Sequence, residues 1–294
     1  MYNTRQDFHD RGYNDSFSED SLGTAVNSNL AILGMFGQYV LPRGGVIWLG
    51  SLIQAMAVWG FSEAAARSAI LRLKHGGFIE GQRVGRRTFY SLTDGGMHRL
   101  DIGGFRFSFS PTRAWDGQWT VVVYSIPEEQ RELRDALRDS LKWWGFGLLA
   151  PGTWVSARPL LPEMERGWRE MGVWDYVDVF RSAYVGSSDL PAMVDRVFPE
   201  LPALAASYRA YIAQSELILR RLEAGRLEDR TCFATRLENL WGFYAVASED
   251  PVLPPDLLPE DWPRPRAEEL SVRIQRVLAE PASRFFETIY ETIG

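Results

Sequence analysis

Apolar residues recur with helical spacing in three successive segments near the start of the chain. The first two run from Leu30 to Val40 and from Trp48 to Val58. Between them, residues 41–45 read Leu-Pro-Arg-Gly-Gly, which cannot continue a helix. The third segment begins at Ser62, a residue type that caps helices, and ends near the glycine pair at residues 76–77. The pattern therefore predicts three short helices.

The third predicted helix has one apolar face and one polar face. On a wheel of about 100° per residue, Ala66, Ile70 and Leu73 share a face that we expect to lie on the core. Leu71 lies between the faces, where packing against the following segment is its expected role. The opposite face is short, polar and cationic and consists of Ala64, Ser68 and Arg72, flanked by Ala65, Arg67 and His75.

Two short strands are predicted directly after this helix. Residues 78–79 and 88–92 have the aromatic and β-branched content of strands. Residues 83–87, Arg-Val-Gly-Arg-Arg, link them, and Gly85 lies where a tight turn can require a positive φ. Three helices and a two-stranded ribbon predict a winged helix-turn-helix. In that arrangement the third helix enters the major groove and the ribbon lies over a neighbouring backbone or minor groove.

The charge distribution supports a DNA-facing role for this segment. Residues 43–113 contain ten Arg and Lys against four Asp and Glu, a balance of +6, whereas the whole chain is at −6. Phosphate contacts supply most non-specific affinity, so a basic module inside an acidic chain orients that end toward DNA. The residues predicted to contact DNA are Arg43, Ser62, Ala64, Ala65, Arg67, Ser68, Arg72, His75, Arg83, Arg86 and Arg87.

Strand and helix patterns alternate in the middle of the chain. Residues 120–124 form a continuous apolar strand, suited to burial on both faces, and an amphipathic helix follows from Glu128 to Trp144. The remaining candidates are strands at residues 145–147 and 153–156, a helix from Pro162 to Met171 and a strand from Tyr176 to Phe180. This β-α-β-β-α-β order predicts a ferredoxin-like sandwich.

From about Asp189 onward the pattern is helical, apart from a proline-rich loop near residues 251–263. The predicted fold class is therefore α+β. We expect a flexible tail at residues 1–25 and a winged-helix DNA-binding domain at residues 26–110. A ferredoxin-like domain for dimerisation or sensing is expected at residues 111–188, and a helical domain at residues 189–294.

Composition narrows the class of protein further. The 294 residues, 46% apolar and 24% charged, have the balance of an ordinary soluble globular protein. No apolar run approaches the roughly 20 residues of a membrane span, and no signal-peptide pattern opens the chain, so we expect a cytoplasmic protein. The single cysteine, Cys232, excludes an internal disulfide and is expected to be a buried small hydrophobe. The three histidines show no metal-ligand spacing, so we predict no metal and no cofactor.

Several motifs follow one another in a distinctive order between about residues 30 and 290. They are residues 39–45 before 48–52, residues 67–73, residues 83–87 ahead of Tyr90, residues 114–119, residues 145–152 and residues 253–263. Together they resemble the PaaX family of bacterial transcriptional repressors. The resemblance implies a homodimer, without enzyme activity, that binds operator DNA upstream of aromatic-acid catabolic genes. It further implies release from DNA by an aryl-acyl-CoA effector, with phenylacetyl-CoA as the leading candidate.

Residues 121–127, Val-Val-Val-Tyr-Ser-Ile-Pro, followed by a helix and Gly145-Phe146, also resemble the small ferredoxin-like ribonuclease of CRISPR spacer acquisition. In that nuclease an acidic residue ends the first strand, where two subunits can hold a metal ion. Here the position is Ser125, whose neutral hydroxyl cannot supply the carboxylate. The resemblance thus implies a shared dimerisation scaffold without the nuclease chemistry.

Two alternative functions stay open at this point. One is an enzyme, either a metal-dependent nuclease or a CoA-thioester hydrolase that uses the middle or C-terminal segment. Ser125, the lack of a Gly-x-Ser-x-Gly motif and the few histidines argue against it. The other is a winged helix that serves only as a platform for protein interaction, because an apolar Leu71 beside the groove face is unusual for DNA contact.

Tryptophans are concentrated in the middle segment, where an aromatic acyl group could stack on one or two of them. Cationic groups would accommodate the phosphates of coenzyme A. The candidate effector-binding residues are Trp119, Trp144, Arg158 and Arg181. Large aromatic residues more often fill a core or an interface, and that interpretation stays open for these tryptophans.

Overall fold

The structure, a computed structural model, describes residues 27–98, 100, 115–186, 189–225 and 227–293. The chain packs into two compact units. The first combines the segment up to residue 108 with residues 211–244 and 266–294, and the second combines residues 109–210 with residues 245–265. The predicted tail at residues 1–25 lies outside the described residues, and the predicted domain boundaries along the chain stay a prediction.

The first unit opens with helices joined by tight turns. Asn27 caps the first of them, since its side-chain oxygen accepts the Asn29 N–H at 2.9 Å. The 3₁₀ turn that ends this helical stretch stops at Gly44, where a φ of 95° favours glycine. The bounds are Ser28–Met35 (α1), a π-helical turn Phe36–Val40, a 3₁₀ turn Leu41–Arg43, Leu49–Met56 (α2) and Glu63–His75 (α3).

An antiparallel sheet accompanies these helices. Its strands are Val46–Trp48 (β1), Ile79–Val84 (β2) and Arg87–Leu92 (β3), in the order β1-β3-β2. β2 and β3 form a ribbon where one was predicted, but with different bounds. Because Val84 pairs with Arg87, most of the predicted link at residues 83–87 belongs to the strands. β1 is an addition. The sequence pattern placed Trp48 in the second helix, but its backbone pairs with Phe89 on β3 instead. The chain therefore enters α2 only after this short strand.

The second unit contains an antiparallel sheet with helices packed on one face. Val122 and Trp154 of the sheet are buried against Leu137 and Leu141 of the first helix and Trp168 of the second. The bounds are Gln118–Tyr124 (β4), Arg131–Trp143 (α4), Gly147–Ala150 (β5), Thr153–Ser156 (β6), Pro162–Met171 (α5) and Val177–Ala183 (β7), and the strand order is β5-β6-β4-β7. With helices beside antiparallel sheets, the molecule has the predicted α+β class.

The C-terminal third is helical, as predicted. Its helices are Leu190–Val197 (α6), Leu201–Ala224 (α7), Asp229–Ser248 (α8), Arg264–Val277 (α9) and Ala279–Ile289 (α10). The proline-rich segment between α8 and α9 contains one short 3₁₀ turn, Pro255–Leu257, among the residues described there. Cys232 of α8 is 2% exposed, which confirms its predicted burial.

Residues from α8 and α10 complete the hydrophobic core of the N-terminal helices. Phe233 and Leu237 of α8 and Phe286 of α10 are buried in the same cluster as Tyr39. The Tyr39 ring stacks on Phe286 with centroids 4.8 Å apart and tilts against Phe233 at 5.2 Å. The helices that carry the predicted DNA-facing residues thus rest on side chains from the far end of the chain.

Candidate nucleic-acid interface

The outward face of α3 follows from how the helix begins and from what it buries. Ser62 Oγ accepts a hydrogen bond from the Ala65 N–H at 3.2 Å, which fixes the start of the helix. Ala66, Ile70 and Leu73 are 0–3% exposed, as predicted from their spacing. Because this face packs against the core, the opposite face of α3 is exposed to solvent.

The residues predicted to contact DNA from α3 lie together on this outward face. Arg67 forms an ion pair with Glu63 at 2.7 Å, one turn earlier in the helix. Arg72 donates from Nη2 to Ser28 Oγ at 3.0 Å. Exposed contacts of this kind contribute at most about 1 kcal/mol, so either guanidinium can exchange its partner for a phosphate. The members of the face are Ala64, Arg67, Ser68, Arg72 and His75, which are exposed, and Ala65, which is partly buried.

Leu71 differs from its expected role. Its side chain is 52% exposed, so little of it packs against the ribbon that follows α3. Val84, at the end of β2, is 42% exposed. Two apolar side chains therefore face solvent in the same segment as the cationic residues.

The ribbon turns through two residues, Gly85 and Arg86. Gly85 has a φ of 60°, the positive value expected for a tight hairpin turn. Arg83 donates from Nε to the Gly85 carbonyl at 3.2 Å, which holds its guanidinium beside the turn. Arg86 is exposed at the tip. The turn therefore brings Arg83 and Arg86 to the exposed end of the ribbon.

Arg87, the next residue, has a different environment. Its guanidinium carbon lies 4.6 Å from the centre of the Trp48 ring, and it forms an ion pair with the Glu291 carboxylate. Sequence reasoning missed both partners. Trp48 is an aromatic residue beside a turn and could have been suspected, whereas Glu291 carries no local signal and follows α10 at the far end of the chain.

The structure does not bring Arg43 to the face formed by α3 and the ribbon. Its Nη1 donates to the Tyr39 carbonyl at 2.9 Å, Nη2 donates to Ser283 Oγ at 2.9 Å, and Nε pairs with Glu287 at 2.6 Å. Burial raises the pKa of the neighbouring Tyr39 phenol, and the Arg236 and Arg43 cations oppose that shift. Arg43 therefore docks α10 onto the turn after α1.

Two of the candidate effector residues, Arg158 and Arg181, meet at Thr120 in the second unit. The Thr120 hydroxyl donates to the Arg158 carbonyl, and Arg181 donates from Nη1 to Thr120 Oγ1 at 3.1 Å. Arg181 also pairs with Asp116 at 2.7 Å. The pKa of Asp116 is held below its usual range, chiefly by a hydrogen bond from the Gln118 N–H and to a smaller extent by the Arg181 cation.

The two candidate tryptophans are buried in separate places. Trp119 is 2% exposed and stacks near Phe198 with centroids 6.5 Å apart. Because side chains alternate along a strand, Trp119 points away from the face of the sheet that carries Thr120. Trp144 is 6% exposed and belongs to the same buried cluster as Leu137 and Leu141 of α4. Its ring meets the Trp143 ring edge-on, with centroids 4.6 Å apart. The four candidates are thus not gathered around one cleft.

Ser125 directly follows β4, where its N–H donates to the Tyr176 carbonyl at 3.1 Å. Across residues 27–98, 100, 115–186, 189–225 and 227–293, no three His, Cys, Asp or Glu side chains are grouped as they would be to hold a metal ion. Within that same part of the chain, no helix combines the length and apolar character needed to span a membrane.

Comparisons with known proteins cover most of the chain. Family models described as "PaaX-like protein", "PaaX protein central Cas2-like domain" and "PaaX-like protein C-terminal domain" match residues 28–96, 112–194 and 200–288. The transcriptional repressor PaaX of Escherichia coli is 30% identical over 284 residues, 95% of this chain and 89% of that protein. The solved structure of the uncharacterized protein Rv0674 from Mycobacterium tuberculosis is similar in fold. Its TM-score is 0.53 at 21% identity, over 81% of this chain and 90% of that chain.

Proposed function

The chain belongs to the PaaX family, and from that premise we propose that it is a DNA-binding transcriptional repressor. The observation that carries the proposal is the exposed polar and cationic face of α3 next to a ribbon tipped with arginines. We interpret α1, α2 and α3 with their sheet as a winged helix-turn-helix. In such a module the third helix lies in the major groove and the ribbon contacts backbone nearby.

The side chains suggest a division of roles within this interface. Ala64 and Ser68 are short enough to let α3 approach base edges closely, and Arg72 can reach a guanine edge or a phosphate. Arg83 and Arg86 at the ribbon tip are suited to phosphate contacts, which supply affinity without sequence information. A regulator of this kind acts on chromosomal DNA, so we place it in the cytoplasm.

Substitution of the ribbon arginine tests the proposal. We expect Arg86→Ala to weaken binding to DNA of any sequence and to lower the salt dependence of the logarithm of the binding constant by about 0.9. Ser68→Ala, in contrast, is expected to alter the preference for the operator over unrelated DNA. Fluorescence anisotropy with the protein's own upstream region and with a scrambled duplex, over a series of salt concentrations, measures both effects.

Arg273→Ala provides a matched control, because it removes an exposed, ion-paired arginine of α9 in the same unit. Its salt dependence should stay at the wild-type value. A double variant, Arg86→Ala with Arg87→Ala, that binds DNA like the wild-type protein would contradict the role of the ribbon. Loss of affinity without any change in salt dependence would also contradict phosphate contact.

We further propose that the second unit is a ferredoxin-like scaffold for a homodimer and that an aryl-acyl-CoA, such as phenylacetyl-CoA, releases the operator. The family resemblance supports this extension, and the Arg181 guanidinium lies beside the backbone of Arg158, to whose carbonyl its Nη1 donates at 3.4 Å. Titration of the protein–DNA complex with phenylacetyl-CoA should release DNA, while free phenylacetate and coenzyme A alone should not. Sedimentation of the free protein reports whether it is a dimer.

A second candidate function, a platform for protein interaction, is favoured by the exposed side chains of Leu71 and Val84. These apolar groups would be buried by a protein partner more readily than by phosphates. DNA binding at low salt discriminates the two functions, because a platform would bind no fragment of the upstream region. We propose no enzymatic reaction for either unit.

A further inference from the structure

We propose that Glu291 competes, within the molecule, with the DNA phosphate that would contact Arg87, and thereby sets the affinity of the ribbon. This inference rests on the proposed DNA-binding function. Its starting point is that Arg87 is the ribbon arginine with an acidic partner, the carboxylate of Glu291, among the described residues. A phosphate and a carboxylate are both anions with oxygen acceptors, so both accept hydrogen bonds from the same guanidinium N–H groups.

The position of Glu291 is fixed by its backbone. Its carbonyl accepts the Trp48 N–H at 2.8 Å, and its own N–H donates to Ser51 Oγ at 3.0 Å. The preceding residue, Tyr290, places its hydroxyl 3.0 Å from the Arg43 carbonyl and 2.9 Å from the Val46 carbonyl. Contacts on both sides of the peptide therefore keep the carboxylate beside β1 instead of leaving it at the end of a free segment.

The Trp48 ring completes the arrangement. The Arg87 guanidinium lies over this ring at 4.6 Å, a contact that does not use its N–H donors. The side chains of Arg87 and Glu291 are 53% and 45% exposed, so solvent and a polyanion can both reach the pair. Trp48 can thus retain the guanidinium while the Glu291 carboxylate is exchanged for a phosphate.

The exposure of the pair limits the size of the effect. Exposed ion pairs contribute at most about 1 kcal/mol, so a phosphate can displace the carboxylate, but at a cost in affinity. Removal of the carboxylate charge should therefore raise affinity for DNA of any sequence by about two- to fivefold. It should also steepen the slope of the logarithm of the binding constant against the logarithm of the salt concentration by up to about 0.9. The reason is that Arg87 can then neutralise one more phosphate, which releases the counterions of that phosphate.

The chain offers a matched control in Glu287. This residue lies on α10 shortly before Glu291, is 57% exposed on its side chain and also pairs with an arginine, Arg43. Arg43 is engaged with α10 and is not part of the ribbon. Glu287→Gln changes the net charge by the same amount as Glu291→Gln, so a general charge effect would appear equally in both variants.

The experiment compares wild-type protein, Glu291→Gln, Glu291→Asp and Glu287→Gln in anisotropy titrations of a scrambled DNA duplex over a salt series. We expect higher affinity and a steeper salt dependence for Glu291→Gln only, while Glu291→Asp, which keeps the charge, stays near the wild-type values. In an Arg87→Ala background, Glu291→Gln should lose its effect. Urea unfolding of each variant checks that the proteins are equally folded.

The remaining outcomes each overturn the inference. Equal gains in Glu291→Gln and Glu287→Gln would show a general charge effect, and no gain in either would show that no competition exists. A loss of affinity in Glu291→Gln would mean that Glu291 positions Arg87 for DNA instead of competing with it. If the wild-type protein binds no DNA, the proposed function fails first, which is distinguishable from a wild-type protein that binds while Glu291→Gln changes nothing.

Discussion

Arg86 and Arg87 are adjacent in the sequence, yet their surroundings give them different electrostatic roles. Arg86 is exposed at the turn, whereas Arg87 lies over Trp48 and beside the Glu291 carboxylate. A carboxylate within a few ångströms offsets much of the attraction that a cation exerts on a phosphate. Two arginines of one motif are therefore expected to contribute unequally to DNA binding, a difference that the sequence motif alone does not contain.

Cys232 gives a prediction at the same scale. The pKa of its thiol is raised, chiefly by burial and to a smaller extent by the negative charge of the nearby Asp229 carboxylate. A raised pKa leaves less of the reactive thiolate at neutral pH, so iodoacetamide should modify the native protein at least about tenfold more slowly than the urea-unfolded protein. Mass spectrometry of timed samples measures the rates. Native protein that reacts as fast as unfolded protein would contradict the buried position.

Elements with strong local signals are predictable from the sequence. Ser62 caps α3, Pro162 begins α5 with the predicted bounds, and Gly85 makes the ribbon turn. β1 is missed because three apolar residues before a helix carry no strand pattern of their own. They become a strand only through pairing with β3, as in Val46 with Ser91, and such distant pairing is not visible in a local pattern.

The start of α3 gives a prediction that separates stability from DNA contact. Ser62→Ala removes the acceptor for the Ala65 N–H and should lower the free energy of unfolding by about 1 kcal/mol. Ser62→Asp keeps an acceptor, so its unfolding free energy should stay near the wild-type value, but its added negative charge should weaken DNA binding severalfold. Urea unfolding and anisotropy measure the two quantities. Unchanged DNA binding by Ser62→Asp would place this helix end away from DNA.

At the scale of the molecule, the hydrophobic core of the N-terminal helices includes side chains from α8 and α10. The apolar spacing of α10 shows that the helix has a buried face, but it does not show which surface that face covers. The same limit explains why the contacts of Arg43 with Ser283 and Glu287 of α10 could not be foreseen from the sequence. Partners this far apart along the chain leave no mark on local periodicity or charge.

Phe286 tests how much the C-terminal helix contributes to this core. Its ring is 0% exposed and stacks on Tyr39, so Phe286→Ala should lower the free energy of unfolding of the first unit by about 3–5 kcal/mol. Val277→Ala, at a side chain that is 49% exposed, should change it by less than about 0.5 kcal/mol. Urea unfolding measures both. A loss of under about 1 kcal/mol for Phe286→Ala would mean that the core closes without α10.

The contact of Phe286 with Tyr39 also has a consequence for protein synthesis. A ribosome that adds about 5–20 residues per second needs roughly 10–40 s to proceed from the end of β3 to Phe286. During that interval the nascent N-terminal helices have no partner for the surface that α10 later covers. The N-terminal helices are therefore made first, and they reach their final packing only after α10 has been synthesised.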